Sequence, residues 1–153
     1  LTFSTFFPKT KLGNFFSILS VKTAIALYIF IVFVVYNTVL RGIWKPTGWQ
    51  LFLDNMLHVA IPILYILYWL FFVTKGTLNW KNGFYWLIFP LVYLIYSLIR
   101  GPIANWYPYP FLNASNLGYS QVGLNILAML FVFLISGSAL IFINNKFEKE
   151  VTN

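Results

Sequence analysis

The chain has 153 residues, of which 60% are hydrophobic, 22% aromatic and 8% charged. A soluble domain covers itself with roughly 25% charged side chains, so the composition excludes a water-facing surface and requires a bilayer around the apolar excess. The net charge of +7 is spread between apolar blocks, which fits topology determinants and contacts to anionic membrane lipids rather than a nucleic-acid interface.

In chain order, Leu1–Phe7 is apolar and breaks at Pro8-Lys9-Thr10-Lys11. It reads as the tail of a helix that begins upstream, so the expectation is an N-terminally truncated chain. Four apolar segments follow, at about 21–40, 51–73, 84–99 and 122–143, each near the roughly 20 residues of helix that cross a hydrocarbon core. The third is short and would need a thinned bilayer or snorkelling ends. The blocks do not alternate as barrel strands do. The expected fold is therefore an all-α polytopic transmembrane helix bundle, one membrane domain over 1–153, with four spans in this chain and six in a complete one.

Lys9, Lys11, Lys22, Lys75, Lys81, Lys146 and Lys149 fall on one side of these spans, and Arg41, Lys45 and Arg100 on the other. The positive-inside rule then predicts a cell-membrane protein with both ends cytoplasmic and with residues 41–50 and 100–121 outside. Trp44, Trp49, Trp80, Trp106, Tyr107 and Tyr109 flank the segments as an interfacial belt does.

Ionisable groups inside a membrane helix are costly and mark functional sites by default. Asp54 and His58 lie four apart and so share a helical face. Pro62 lacks the N–H that would bond the carbonyl four residues earlier, which leaves the His58 carbonyl without its in-helix donor and predicts a kink there. Tyr65 continues the face. Tyr36, Asn37, Arg41, Tyr96, Ser97, Arg100 and Asn125 fall at the same outer depth, and together these groups predict a polar chamber under the loop 101–121. Arg41 or Arg100 would neutralise Asp54, and the carboxylate would hold the His58 imidazole in one tautomer, as an orienting acid does in hydrolase triads. The same pair equally fits a structural hydrogen bond between helices.

Cysteine is absent, which removes disulfides, thiolate metal sites and cysteine nucleophiles. One histidine and three acids leave too few ligands for a protein-built zinc or di-iron site, so neither a metal nor a cofactor is expected. Pro90 predicts a packing kink in the third segment, Ser136-Gly137-Ser138 small-residue helix packing, and Asn113-Ala114-Ser115 matches a glycosylation sequon.

The runs Leu57-His58-Val59-Ala60-Ile61-Pro62, Arg100-Gly101 and Trp106-Tyr107-Pro108-Tyr109-Pro110-Phe111-Leu112, with Tyr36-Asn37-Thr38-Val39-Leu40-Arg41-Gly42, resemble the androgen-induced-gene-like membrane proteins. They are most similar to the bacterial six-helix relatives, the Pr-six-Pr family, over about Lys9 to Phe147. The resemblance implies a six-helix membrane protein. The animal members hydrolyse fatty-acid esters of hydroxy fatty acids with a threonine nucleophile and a histidine. By that resemblance His58 is the general base acting on a lipid ester, with Asp54 from the spacing above as its orienting acid, while the threonine would precede Leu1. Thr2 and Thr5 are not matched to it, because the expected topology puts them at the cytoplasmic end. The alternative is a non-enzymatic membrane protein, either a proton-linked transporter using Asp54 and His58 as a protonatable pair or a structural or interaction subunit.

Overall fold

The computed structural model describes residues 9–43 and 45–148. Thr2, Thr5, Trp44 and Lys149 lie outside the described residues. Within these the chain is all-α, without a strand, and carries four helices long and apolar enough to cross a membrane: Leu19–Leu40, Gly48–Phe72, Trp80–Ala104 and Ala114–Lys146. At most 39% of the most apolar stretch of any of them is buried within the protein. The rest is apolar surface of the kind a bilayer covers.

The chain divides into two compact units. One takes in the first two spans with the C-terminal stretch from Leu140, and the other runs Asn79–Ala139. In the first unit a short helix α1 (Lys11–Ser17) starts at Thr10, whose hydroxyl accepts from Gly13 N at 3.0 Å and so satisfies one orphan donor. The chain turns at Ile18 and enters α2 (Leu19–Val35), which runs into a π-helical turn, Tyr36–Leu40. The second span is α3 (Gly48–Asn55), a second π-helical turn (Met56–Ala60) and α4 (Ile61–Phe72).

α2 and α4 pack antiparallel as a hairpin. At the end remote from residues 41–47, the buried Trp69 donates from Nε1 to Thr23 Oγ1 at 3.0 Å, and Thr23 returns its proton to Leu19 O at 2.9 Å. Tyr65 donates to Lys22 O at 3.4 Å. Lys75 closes this end. Its ammonium donates to the carbonyls of Trp69, Leu70 and Val73 and lies 4.2 Å from the Trp69 ring centroid, placing a cation on the last carbonyls of α4 where the helix dipole favours it. The buried Asn144 donates to Gly76 O, while Asn145 pairs both ways with the Leu78 backbone, at 3.0 and 2.9 Å. That clasp fastens the C-terminal stretch to the segment after α4.

The second unit begins with α5 (Trp80–Trp86), capped reciprocally by Asn79 and Asn82. A bend at Leu87 leads into α6 (Ile88–Ala104). The bend lies one turn ahead of Pro90, which brings no backbone N–H to the helix. Together α5 and α6 span 25 residues, so the third segment reaches across a full hydrocarbon core and the expected shortfall does not arise. Lys81 and Arg100, which bound the apolar run in the sequence, lie inside the helix. Charge ends a hydropathy pattern without ending backbone hydrogen bonding.

α6 stops at Asn105, in the left-handed region at φ 50°. Tyr107 folds back onto Gly101, where a Cβ would collide with its ring. After the one-turn 3₁₀ helix Pro110–Leu112, α7 (Ala114–Lys146) begins with a break at Gly118 (φ 75°). The expected loop to residue 121 is thus irregular only to Asn113, whose side chain accepts from Asn116 N at 3.1 Å and starts the helix early. Leu112, Ala114 and Val122 form the core here, packed by Leu94, Leu98 and Tyr109.

Candidate functional site

The polar residues predicted in the first two spans converge at the hairpin end of α2 and α3. Asp54 and His58 meet as their spacing requires. His58 Nδ1 lies 3.2 Å from Asp54 Oδ1 and 3.1 Å from the Asp54 backbone carbonyl. Both neighbours of Nδ1 are acceptors, so Nδ1 is the ring nitrogen placed to donate, which in the neutral tautomer leaves the lone pair on Nε2. Among the described residues nothing hydrogen-bonds Nε2. Asp54 keeps 13% of its side-chain surface and His58 33%, so the carboxylate is enclosed while one edge of the imidazole stays open.

Tyr36 supplies what a buried carboxylate needs. Its hydroxyl donates to Asp54 Oδ2, and its ring stacks on the imidazole with centroids 4.0 Å apart and planes 10° from parallel. One side chain from α2 thus fixes both members of the pair on the facing helix. Within its own unit Arg41 does not pair with Asp54, contrary to expectation. Arg41 donates instead to Asn37 Oδ1 at 2.9 Å and Asn55 Oδ1 at 3.1 Å, and the Arg100 guanidinium lies over Trp106, 5.2 Å from its ring centroid. The carboxylate takes a neutral phenol and the imidazole N–H, which avoids desolvating a second permanent charge.

The sequence also leaves the His58 carbonyl without a helical donor. Asn37 reaches it from α2: its Nδ2 donates to Phe33 O at 2.8 Å and lies 3.4 Å from His58 O. Both helices depart from α geometry at this level. Arg41 N bonds Tyr36 O at 2.8 Å, and Ile61 N bonds Met56 O, each spanning five residues. Such π turns insert an extra residue and re-aim side chains, and here two of them face one another across the pair.

The remaining predicted residues are placed elsewhere in their own units. Tyr65 sits two turns along from His58 and bonds Lys22 O, so it does not join Asp54 and His58. In the second unit Asn125 donates to Phe111 O at 2.8 Å and accepts from Gln121 at 3.1 Å, bracing the loop 105–113. Tyr96 is exposed and its ring lies 6.5 Å from that of Tyr93. Ser97 is buried and donates to Tyr93 O at 2.8 Å. Among the described residues no three His, Cys, Asp or Glu side chains gather to hold a metal. Tyr36 as partner of Asp54, and Asn37 as partner of the His58 carbonyl, were not anticipated individually. The signal available was their depth, one polar turn at the end of an otherwise apolar span.

No family model, curated protein or solved structure matches the chain.

Proposed function

We propose that this multi-pass membrane protein works through His58, an imidazole base oriented by Asp54, and that it hydrolyses ester bonds of lipids entering from the outer leaflet. The observation that carries the reading is the contact between His58 Nδ1 and Asp54 Oδ1 with Nε2 left open. In that arrangement Nε2 takes the proton of a hydroxyl as its oxygen attacks the ester carbonyl, and returns it to the departing alkoxide. Asp54 holds the ring and stabilises the imidazolium that forms between the two steps. Arg41, exposed and with N–H groups beyond those given to Asn37 and Asn55, is a permanent cation at this end of the hairpin that would serve a developing oxyanion.

The short motifs shared with the Pr-six-Pr relatives support the same reading, but they stand alone, since no family model matches. Placing the site in the outer leaflet rests on the lysine excess on the opposite side.

A second reading is favoured by one observation: among the described residues no serine or threonine hydroxyl bonds His58. In that reading the pair carries a proton for a linked ligand and forms no covalent intermediate. Exposing the full-length protein and His58→Ala, in lipid, to a fluorophosphonate probe and to an ester of a hydroxy fatty acid separates the two. Labelling and hydrolysis lost in the variant support the hydrolase. A wild type that neither labels nor hydrolyses sinks it and leaves the protonatable pair.

A further inference from the structure

Pro62 fixes a problem in the chain that the helix cannot solve by itself. With no N–H at position 62 the carbonyl of His58 has no partner one turn on, at a depth where water is scarce and an unpaired carbonyl costs several kcal/mol. A side chain from another element has to answer it. The side chain that reaches it is Asn37, whose amide lies at 3.4 Å.

Asn37 is itself oriented. An amide can turn over and exchange oxygen for nitrogen, but Arg41 Nη1 donates to its Oδ1 at 2.9 Å, and a guanidinium cannot accept. The oxygen therefore faces Arg41, and the nitrogen faces the Phe33 and His58 carbonyls. Arg41 is held in turn by Asn55 Oδ1, and Asn55 by Leu51 O at 3.0 Å. A closed chain of hydrogen bonds thus runs from Arg41 through Asn37 to the backbone of His58 and back through Asn55 to α3. Its members flank both π turns, Tyr36–Leu40 and Met56–Ala60.

Resting on the reading of His58 as the working base, we propose that Asn37 is a positioning residue for it. By donating to the carbonyl that Pro62 leaves unpaired, Asn37 holds the π turn Met56–Ala60 in the register that brings the imidazole against Asp54 and under the Tyr36 ring. Asn37 touches no reacting atom. It acts through the backbone of His58, and its orientation comes from Arg41.

The account makes Asn37 and Pro62 interdependent. Pro62→Ala returns an N–H to the helix and gives the His58 carbonyl its own donor, after which Asn37 is dispensable. The readout is the ¹⁵N signals of His58 in the full-length protein in micelles, at a pH where the ring is neutral. These report which nitrogen carries the proton, need no substrate, and remain informative if the hydrolase reading fails. Asn37→Ala is expected to lower the Nδ1–H population relative to Nε2–H by about fivefold, the scale of one net hydrogen bond. Asn37→Ala combined with Pro62→Ala is expected to return it to within about twofold of wild type. Unchanged signals in Asn37→Ala overturn the proposal, as does a double variant as perturbed as the single one, because a packing role alone would make the two changes add. If Asn37→Ala does not fold, the double variant still decides. Folded with wild-type imidazole signals it supports the proposal, and unfolded it contradicts it.

Discussion

The two ends of the α2–α4 hairpin lie in the same chain and meet the same solvent, yet they are built differently. At the end near Lys75 both helices are regular, and the contacts between them are neutral, Trp69 to Thr23 and Tyr65 to Lys22, with the Thr23 hydroxyl passing on to Leu19 O within α2. Trp69 and Thr23 are almost fully enclosed, at 1% and 0% exposure. At the other end both helices widen into π turns, a carboxylate and an imidazole stand between them, and a third of the imidazole side chain stays open. Structural hydrogen bonds between membrane helices need neither a titratable pair nor an interrupted backbone. The second end carries both costs, and this is the asymmetry on which the proposed role of His58 rests.

Substitutions at the two ends should therefore separate stability from function. The largest loss of stability is expected at the regular end. Trp69→Ala leaves a cavity and removes the donor to Thr23 Oγ1, and should cost about 3–5 kcal/mol, read as unfolding in a mixed-micelle denaturant titration. Folded Trp69→Ala should keep its turnover. A collapse of turnover without unfolding would show that the regular end serves the chemistry after all.

Asp54→Ala comes next, at about 1–3 kcal/mol, because it strands the Tyr36 hydroxyl and leaves the His58 N–H only the backbone carbonyl of residue 54. It should also abolish turnover, whereas a loss of stability alone would return the pair to the structural reading. Tyr36→Phe keeps the ring on the imidazole and removes only the donor to Asp54, so a loss near 1 kcal/mol is expected, with turnover reduced rather than abolished. Turnover equal to wild type would mean that the hydroxyl has no part in fixing Asp54.

The smallest effect belongs to Lys75. Partial burial holds its amine below the ordinary value of 10.5. The folded state then binds that proton less tightly than the unfolded chain, a cost fully present at neutral pH and relieved as the pH rises through the folded value toward 10.5. Wild type should gain slightly in stability over that alkaline window relative to Lys75→Gln. Parallel curves for the two proteins would show that the three carbonyls around the ammonium offset its desolvation.

The unequal ends also explain what the sequence revealed. Four apolar runs of spanning length are unmistakable in the composition, and the pair Asp54 and His58 follows from a spacing of four in an apolar helix. Pro62 even locates the carbonyl that needs outside help. The donor was not legible, because Asn37 stands 21 positions away and one-dimensional spacing does not say which face α2 turns toward α3. The π turns were hidden for a related reason: a single inserted residue leaves hydropathy unchanged and shifts only the hydrogen-bond register. Arg41 was expected beside Asp54 because opposite charges attract, but it bonds Asn37 and Asn55 while the Tyr36 phenol donates to the carboxylate. The clasp of Asn144 and Asn145 on residues 76–78 was missed because polar residues at the end of a long apolar run look like an ordinary exit from the membrane.

The most direct test compares His58→Ala with wild type, both full length and in lipid, for turnover of a hydroxy-fatty-acid ester and for the midpoint of thermal unfolding. The account predicts an unfolding midpoint within a few degrees of wild type, since a half-open imidazole contributes about 1 kcal/mol through its contacts, together with turnover reduced to background. An unfolding midpoint that falls as far as that of Trp69→Ala, with turnover per folded molecule unchanged, would contradict it and make His58 one more hydrogen bond between helices.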